Sequence, residues 1–560
     1  MKMNIISLGF VAMGLVLSSC EKIDHEAAKV PDRYEKFEIQ RIIDATKSYK
    51  TINPFDELNV FTLRHTPSEE GKASLNYALT GNHKFGSSAF SIKYSFVGGV
   101  QGDTPETVYL EQIEGDWRSD FSNEPLAMSI WVKGNKNNKG VFRFIIMEDE
   151  KMFMNGKPYD PSRKRWQYYA FEDTEILSKE GWNRLVMPYD KFTVYKKGAG
   201  IKSEHPTLNR CAGYRIEISN PEGVACEGEF AVDELRHLSS FELKPNNAKF
   251  SSMFIQLNKD AYNGTDWDEQ FKDSKAIGID TWIIQYAQQW VQATNNPDIS
   301  FYKNTKLPWI KESCDYIDQM FAAAERQGMK LILGLYPGEY NSNKADPVPY
   351  SWNLERNKLL FDEIYEQFGN HPCLEGWYIT EEFHDGSWPS GAWLFEPALS
   401  MLGNYMQTLA TYIKAKSNKS VQIAPALWRG MPADLCGKWF EKLFKQTPAI
   451  DHLYLQDCGG RNTGSYYLTD SDVDLPTWFK EVKKACDKTG VKFGVDIESF
   501  KADYKSKTWA EISQQLWAAG MYTEYITNFS WVTFKKGTGG YEGYKNYLEE
   551  NNLIDIPEKN

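Results

Sequence analysis

"CLEGWYITEEFHDGSW", residues 373–388, opens as an apolar run and ends in acids. Leu374 to Ile379 has the aliphatic and aromatic texture of a buried strand. Glu381 and Glu382 stop it, and His384, Asp385 and Trp388 follow. Acids at the end of such a strand are costly unless water, a partner charge or a substrate meets them there. The layout recurs in both directions. Upstream lie "MFIQL" (253–257), "TWIIQY" (281–286) and "KLILGLY" (330–336). Downstream lie "SVQIAPAL" (420–427), "DHLYLQD" (451–457), "VKFGVDIE" (491–498) and "EYITNFSW" (524–531). An amphipathic helical stretch follows each. Near-continuous apolar strands suit a parallel sheet buried on both faces. Eight strand-then-helix units across residues 251–560 predict a (β/α)8 TIM barrel. A doubly wound open sheet is the alternative, but no Gly-rich turn follows the first strand, so a dinucleotide fold has no support.

The texture upstream is different. From 33 to 243 short strand-like runs, among them "SAFSIKYSFV", "LAMSIWVKG", "GVFRFIIMED" and "GYRIEISN", are separated by Gly, Asn and Pro. This predicts a jelly-roll-like β-sandwich domain ahead of the barrel. "KPNNAKF", residues 244–250, reads as a linker. "GWNRLVMPY" and "FAVDELRHL" resemble the closing strands of jelly-roll carbohydrate-binding modules, which implies a glycan partner for the sandwich.

The chain begins "MKMNIISLGFVAMGLVLSSC". Lys2 precedes an apolar run too short to span a bilayer, the pattern of a signal peptide over residues 1–19. "LSSC" resembles a lipobox, with Cys20 as the lipidated residue that ties the protein to a membrane. Residues 20–32 are polar and read as a tether. The early acids Glu21, Asp24 and Glu26 resemble those of Bacteroides-type surface lipoproteins, which implies an outer-membrane, cell-surface location.

The net charge of −12, with no Lys/Arg stripe, argues against a nucleic-acid partner. Beyond Cys20, seven scattered cysteines make neither a disulfide framework nor a CxxC metal pattern. Cys211 and Cys226 could pair in an oxidising compartment; buried free thiols are the plainer reading. No organic cofactor is implied, and nothing identifies a structural calcium site in the sandwich.

In such a barrel the chemistry sits at the C-terminal ends of the strands. Those ends carry Gln256 and Asn258, Gln285, then Tyr336, Glu339 and Tyr340, then Glu381 and Glu382. Trp428 and Arg429, Gln456 and Asp457, Asp496 and Glu498, and Asn528 and Trp531 complete them. The set lacks a His/Asp metal group, a nucleophilic Ser elbow and a phosphate loop. Carboxylates and amides hydrogen-bond hydroxyls, while Trp and Tyr stack on sugar rings. The expected substrate is therefore a sugar. Gln256, Gln285, Tyr336, His384, Gln456, Trp428 and Trp531 are the candidate substrate contacts, with core packing the rival reading for each aromatic.

Glutamates ending strands four and seven resemble the large clan of retaining glycosidases with an acid/base on strand four and a nucleophile on strand seven. More closely, "FIQL", "GIDTWIIQYA", "LILGLYPGEY", "GWYITEEF", "YLQDCGG" and "DIESF" resemble a glycosidase-like family of bacterial barrel lipoproteins catalogued as a domain of unknown function. That resemblance implies Glu382 as acid/base and Glu498 as nucleophile, with Asp457 as a third catalytic carboxylate. In the clan the acid/base normally follows an Asn. Here Thr380 and Glu381 precede Glu382, so Glu381 stays a candidate. The alternative function is a non-catalytic cell-surface glycan-binding lipoprotein.

Overall fold

Eight parallel strands hydrogen-bond side by side into a closed barrel. They are β1 (Ser252–Ile255), β2 (Thr281–Ile284), β3 (Lys330–Gly334), β4 (Leu374–Ile379), β5 (Ser420–Ile423), β6 (His452–Gln456), β7 (Lys492–Glu498) and β8 (Ile526–Phe529). The helices that follow them are α1 (Trp267–Lys275), α2 (Tyr316–Gln327), α3 (Pro347–Phe368), α4 (Glu396–Lys414), α5 (Ala433–Gln446), α6 (Leu475–Thr489), α7 (Trp509–Gly520) and α8 (Gly539–Glu550). This computed structural model describes residues 31–554 except 59–62, 68, 100–104, 114–123, 149–152, 155–156, 159–162, 164, 199–202, 209–210, 289–297, 338–346, 384–395, 427–432, 461–474 and 502.

Local chemistry explains the element ends. The Asp266 side chain accepts from the Glu269 amide and starts α1. Thr508 and Glu511 form a capping box at α7. Gly328, at φ 62°, ends α2 in the left-handed conformation.

The strands alternate between two apolar environments. Phe254, Ile283, Ile332, Tyr378, Ala424 and Tyr454 fill the barrel interior. Their neighbours Met253, Ile284, Leu331, Trp377, Ile423 and Leu453 join the larger core shared with the helices. Gly494 faces the interior beside Tyr454; a Cβ there would lie 2.7 Å from the tyrosine ring. Farther along, the inward positions of β6 and β7 turn polar: Gln456, Asp496 and Glu498. The site begins at that change.

Two six-stranded antiparallel sheets precede the barrel. One runs in the order 181–188, 125–134, 226–239, 89–96 and 74–80, with 48–53 also paired to 226–239. The other runs 193–196, 167–173, 141–148, 211–220, 106–112 and 63–65. Residues of both sheets meet in one apolar cluster that includes Phe90, Ile130, Phe144 and Ile216. The opposite face of the second sheet combines an apolar cluster, including Ile145, Met147 and Tyr168, with ion pairs. Glu111 takes Arg163 and Arg215 at 2.6 and 2.7 Å, and Glu217 takes Arg143 at 2.5 Å. Arg215 also lies 4.3 Å over the Tyr109 ring.

Pro31–Ala45 is a helix, where sequence texture predicted tether and then strand. Ile39, Ile42 and Ile43, at helical spacing, pack on Ala127, Val186 and Leu238. Cys20 and the signal peptide lie outside the described residues. All seven described cysteines are free thiols, Cys211 and Cys226 included. No helix among the described residues is long and apolar enough to cross a membrane.

Two buried histidines carry a pH expectation. His237 bonds the Tyr189 hydroxyl at 2.7 Å in the sandwich, and His452 lies 4.2 Å from the Tyr454 ring inside the barrel. Burial pushes each imidazole down to about 3. The unfolded chain, with histidines near 6.5, therefore binds protons that the native protein does not. The stability these groups contribute is present above the unfolded value and is lost as pH falls from about 6.5 towards 3. The free energy of unfolding in denaturant should be lower at pH 5 than at pH 7 by about 2 kcal/mol per histidine. His452→Gln should flatten that dependence for the barrel; an unchanged slope would remove His452 as its source.

Candidate active site

The end of β4 presents its two glutamates to opposite sides. Tyr378 points into the barrel and Thr380 follows on the same side, its hydroxyl donating to the Tyr336 carbonyl at 2.7 Å. Glu381 is the outward neighbour and is 6 % exposed; burial first, then its charge, raises the phenol pKa values of Tyr350 and Tyr405, on α3 and α4. Glu382 is exposed. It acts electrostatically on Tyr378 and Asp496, both at the barrel axis. Phe383 turns back outward against Trp439 and Phe440.

β7 brings Asp496 and Glu498 to the same side, two residues apart. Glu498 is 6 % exposed, and its Oε2 accepts from the Gly460 amide at 2.7 Å. A Cβ on Gly460 would meet that oxygen at 2.8 Å, so only glycine allows the approach. Cys458, at φ 54°, turns the chain after β6 so that Gly459 and Gly460 present their amides.

Asp457 is fully buried. Its Oδ1 accepts from the amides of Gly459 at 2.9 Å and Glu498 at 3.2 Å, and its Oδ2 from the Gln515 side chain. The Lys507 ammonium donates to the Glu498 carbonyl and to Gln515 Oε1, both at 2.9 Å. Burial raises the Asp457 pKa, while Lys507 and the three donors pull it back. Sequence offered Asp457 as a catalytic carboxylate. With both oxygens engaged and no exposure, it is closed to solvent and bonds the Glu498 backbone amide.

Asp496 is 1 % exposed, and its Oδ1 has no hydrogen-bond partner among the described residues. Burial first, then the charges of Glu498, Asp457 and Glu382, push its pKa well above the ordinary carboxylate value. The folded value lies above the unfolded one, so its stabilising contribution is present at low pH and lost as pH rises through the folded value. Asp496→Asn keeps the shape without the charge. It should raise stability at pH 8 by about 1–3 kcal/mol, and the gain over the parent should vanish near pH 3.5. Equal stability at both pH values would contradict this reading.

The other sequence candidates fall unevenly. Gln256 is exposed, and Gln285 is half-buried with its Oε1 unbonded among the described residues. Gln456 donates to the Ala424 carbonyl at 2.6 Å. Two aromatic candidates are corrected. Tyr336 is 2 % exposed and packs on Trp352, and Trp531 is 7 % exposed among Tyr262, Trp267 and Trp282. Both rings complete the core between strands and helices and offer no open face. His384 and Trp428 lie outside the described residues.

Sequence reading passed over Lys507, Gln515 and Arg356. The Arg356 guanidinium lies 3.8 Å over Trp352 and 4.8 Å over Trp309, and reaches the Tyr336 hydroxyl at 3.3 Å. Trp352 and Arg356 are one helical turn apart, a spacing that could have signalled the stack. Among the described residues no group of three or more His, Cys, Asp or Glu side chains could hold a metal ion.

Residues 250–536 match the sequence profile of a domain of unknown function (DUF4434). No curated protein matches the chain. Its similar solved structures are distant. A candidate α-L-fucosidase of Bacteroides thetaiotaomicron is 21% identical, with 57% of this chain and 100% of that one covered and a TM-score of 0.41. The CBM22-1–GH10 modules of the Clostridium thermocellum endo-1,4-β-D-xylanase 10B are 9% identical, covering 90% and 97%, at TM-score 0.31. The family 11 carbohydrate-binding module of a Clostridium thermocellum cellulosomal cellulase is 16% identical, covering 35% and 96%, at TM-score 0.26.

Proposed function

Since the chain belongs to the family of the domain of unknown function DUF4434, its activity must be read from the barrel mouth, and we propose that it is a glycoside hydrolase acting on a poly- or oligosaccharide. The carrying observation is that parallel strands of one closed barrel bring both carboxyls to the same end: exposed Glu382 follows β4, and Glu498 is the last residue of β7, on the inward side with Asp496. The charges of both act on the buried Asp496 carboxyl, in line with that placement. Glu382, exposed, serves as acid/base. Glu498, recessed and oriented by Gly460, serves as nucleophile. Glu381, turned towards the Tyr350 and Tyr405 side, has no part in the chemistry. A retaining mechanism needs the two carboxyls roughly 5–5.5 Å apart.

In the first step Glu498 attacks the anomeric carbon while Glu382 protonates the departing glycosidic oxygen. In the second, Glu382 takes a proton from water, whose oxygen attacks the same carbon and releases Glu498. Asp457 holds the Glu498 backbone from behind. The N-terminal sheets serve as a jelly-roll-like carbohydrate-binding module, and the lipid on Cys20 holds the protein at the outer surface of the outer membrane.

A glycan-library hydrolysis screen tests this, run on the protein lacking residues 1–20 with Glu382→Gln and Glu498→Gln alongside. Products from the parent that vanish in both variants support the glycosidase. Activity surviving both changes rejects the site. Retention of a glycan without any hydrolysis turns the reading to a binding protein.

A further inference from the structure

A second concave site lies on the helical wall of the barrel, away from the strand ends that carry the carboxylates. It is a cavity of about 460 Å³ between the linker before β1 and the helices α7 and α8, within the size range of small-ligand pockets. Trp509 and Trp517, both on α7 and half-buried, supply aromatic surface, and the buried Tyr547, on α8, backs the Trp509 ring. The Trp509 and Tyr547 rings are 5.0 Å apart and inclined by 33°. Trp517 is eight positions beyond Trp509 on the helix, about 12 Å along the axis, the span of a short oligosaccharide.

The polar lining divides into two kinds. Asn246 and Asn551 brace the walls: Asn246 donates to the Trp517 carbonyl at 2.9 Å and Asn551 to the Tyr547 carbonyl at 2.8 Å. Asn247, Asn546 and Glu550 also line the cavity and are exposed. The side chains of these three make no hydrogen bond or ion pair with the described residues, so their amides and carboxylate are open to a ligand. The lining contains no Lys, Arg or His, which disfavours an anion.

We propose that this cavity binds a neutral glycan chain: the aromatic faces stack on the apolar C–H faces of its rings, and Asn247, Asn546 and Glu550 bond its hydroxyls. The site goes beyond the hydrolase reading, because it needs neither Glu382 nor Glu498. Its role is to hold a polymer beside the barrel while the mouth acts elsewhere on it.

The test is affinity electrophoresis of the full-length Glu498→Gln chain in detergent, so that turnover does not consume the probe. The gels contain xylan, laminarin, galactomannan or pullulan, with polygalacturonate as the anionic control. At least one neutral polymer should retard the protein. Trp517→Ala, placed in the same chain, should weaken that retardation about tenfold. Asn546→Ala with Glu550→Ala, two exposed changes that leave the core untouched, should weaken it in the same direction. In the otherwise unaltered protein these changes should leave hydrolysis of a short soluble substrate as it was. Retardation by none of the neutral polymers, retardation by polygalacturonate alone, or retardation unchanged in both variants overturns the site. The hydrolase reading fails separately, by the screen above.

Discussion

Glu498→Gln lowers kcat/KM on the hydrolysed glycan by about a thousandfold or more, with little change in thermal stability. The expectation rests on what glutamine keeps. Its amide oxygen still accepts from the Gly460 amide, now 2.7 Å from Glu498 Oε2, and the side chain has the same volume. The anionic oxygen that would attack the anomeric carbon is gone. Glu498→Ala sharpens the experiment. If Glu498 is the nucleophile, removing the side chain leaves space on that face of the sugar, and added azide should restore cleavage of an activated substrate. The azide nitrogen then bonds to the anomeric carbon as the leaving group departs, giving a glycosyl azide of opposite configuration. Glu382→Ala should respond differently. An activated leaving group needs little protonation, so the first step survives, and azide should give the product of retained configuration. Rescue of neither variant, with hydrolysis otherwise lost in both, would point to an inverting mechanism, which needs a wider gap of roughly 6.5–9.5 Å.

Much of this arrangement was legible in the sequence, for a physical reason. Strands buried on both faces must be nearly continuous runs of apolar residues, and all eight runs read as strands are strands of the closed barrel. The period of two along a strand also decides which side a residue takes. Tyr378 inward makes Glu381 and Phe383 outward, and Phe383 does pack outward on Trp439 and Phe440. Long-range partners were illegible. Lys507 and Gln515 reach the β6–β7 ends from the start and middle of α7's segment, and no local pattern marks that contact. Aromatic residues misled for a related reason. Trp531 and Tyr336 sit just past strand ends, where a stacking platform is expected, yet the chain there has already turned into the helical layer. The helix over Pro31–Ala45 was missed because its three isoleucines, at helical spacing, sit among charged residues at the head of a stretch whose texture is strand-like.

Asp457→Ala should cost the barrel about 3–5 kcal/mol, the range for removing one member of a buried charged network. The aspartate is fully buried, and four groups converge on it. Without it the amides of Gly459 and Glu498 and the Gln515 side chain lose their acceptor. Lys507, 7 % exposed, loses the nearby negative charge. Asp457→Asn should cost less, because its carbonyl oxygen can still accept the two amides while its NH₂ group confronts the Gln515 donor. The lysine can be separated from the amides by a double-mutant cycle with Lys507→Met. If the stranded ammonium is the main penalty, the double variant is less destabilised than the sum of the singles by about 1–3 kcal/mol. The same cycle reads function. Asp457 accepts from the Glu498 backbone amide, so activity should fall through kcat with KM nearly unchanged. A loss of stability under about 1 kcal/mol for Asp457→Ala would mean that water replaces the carboxylate without strain, and that the Glu498 backbone needs no such brace.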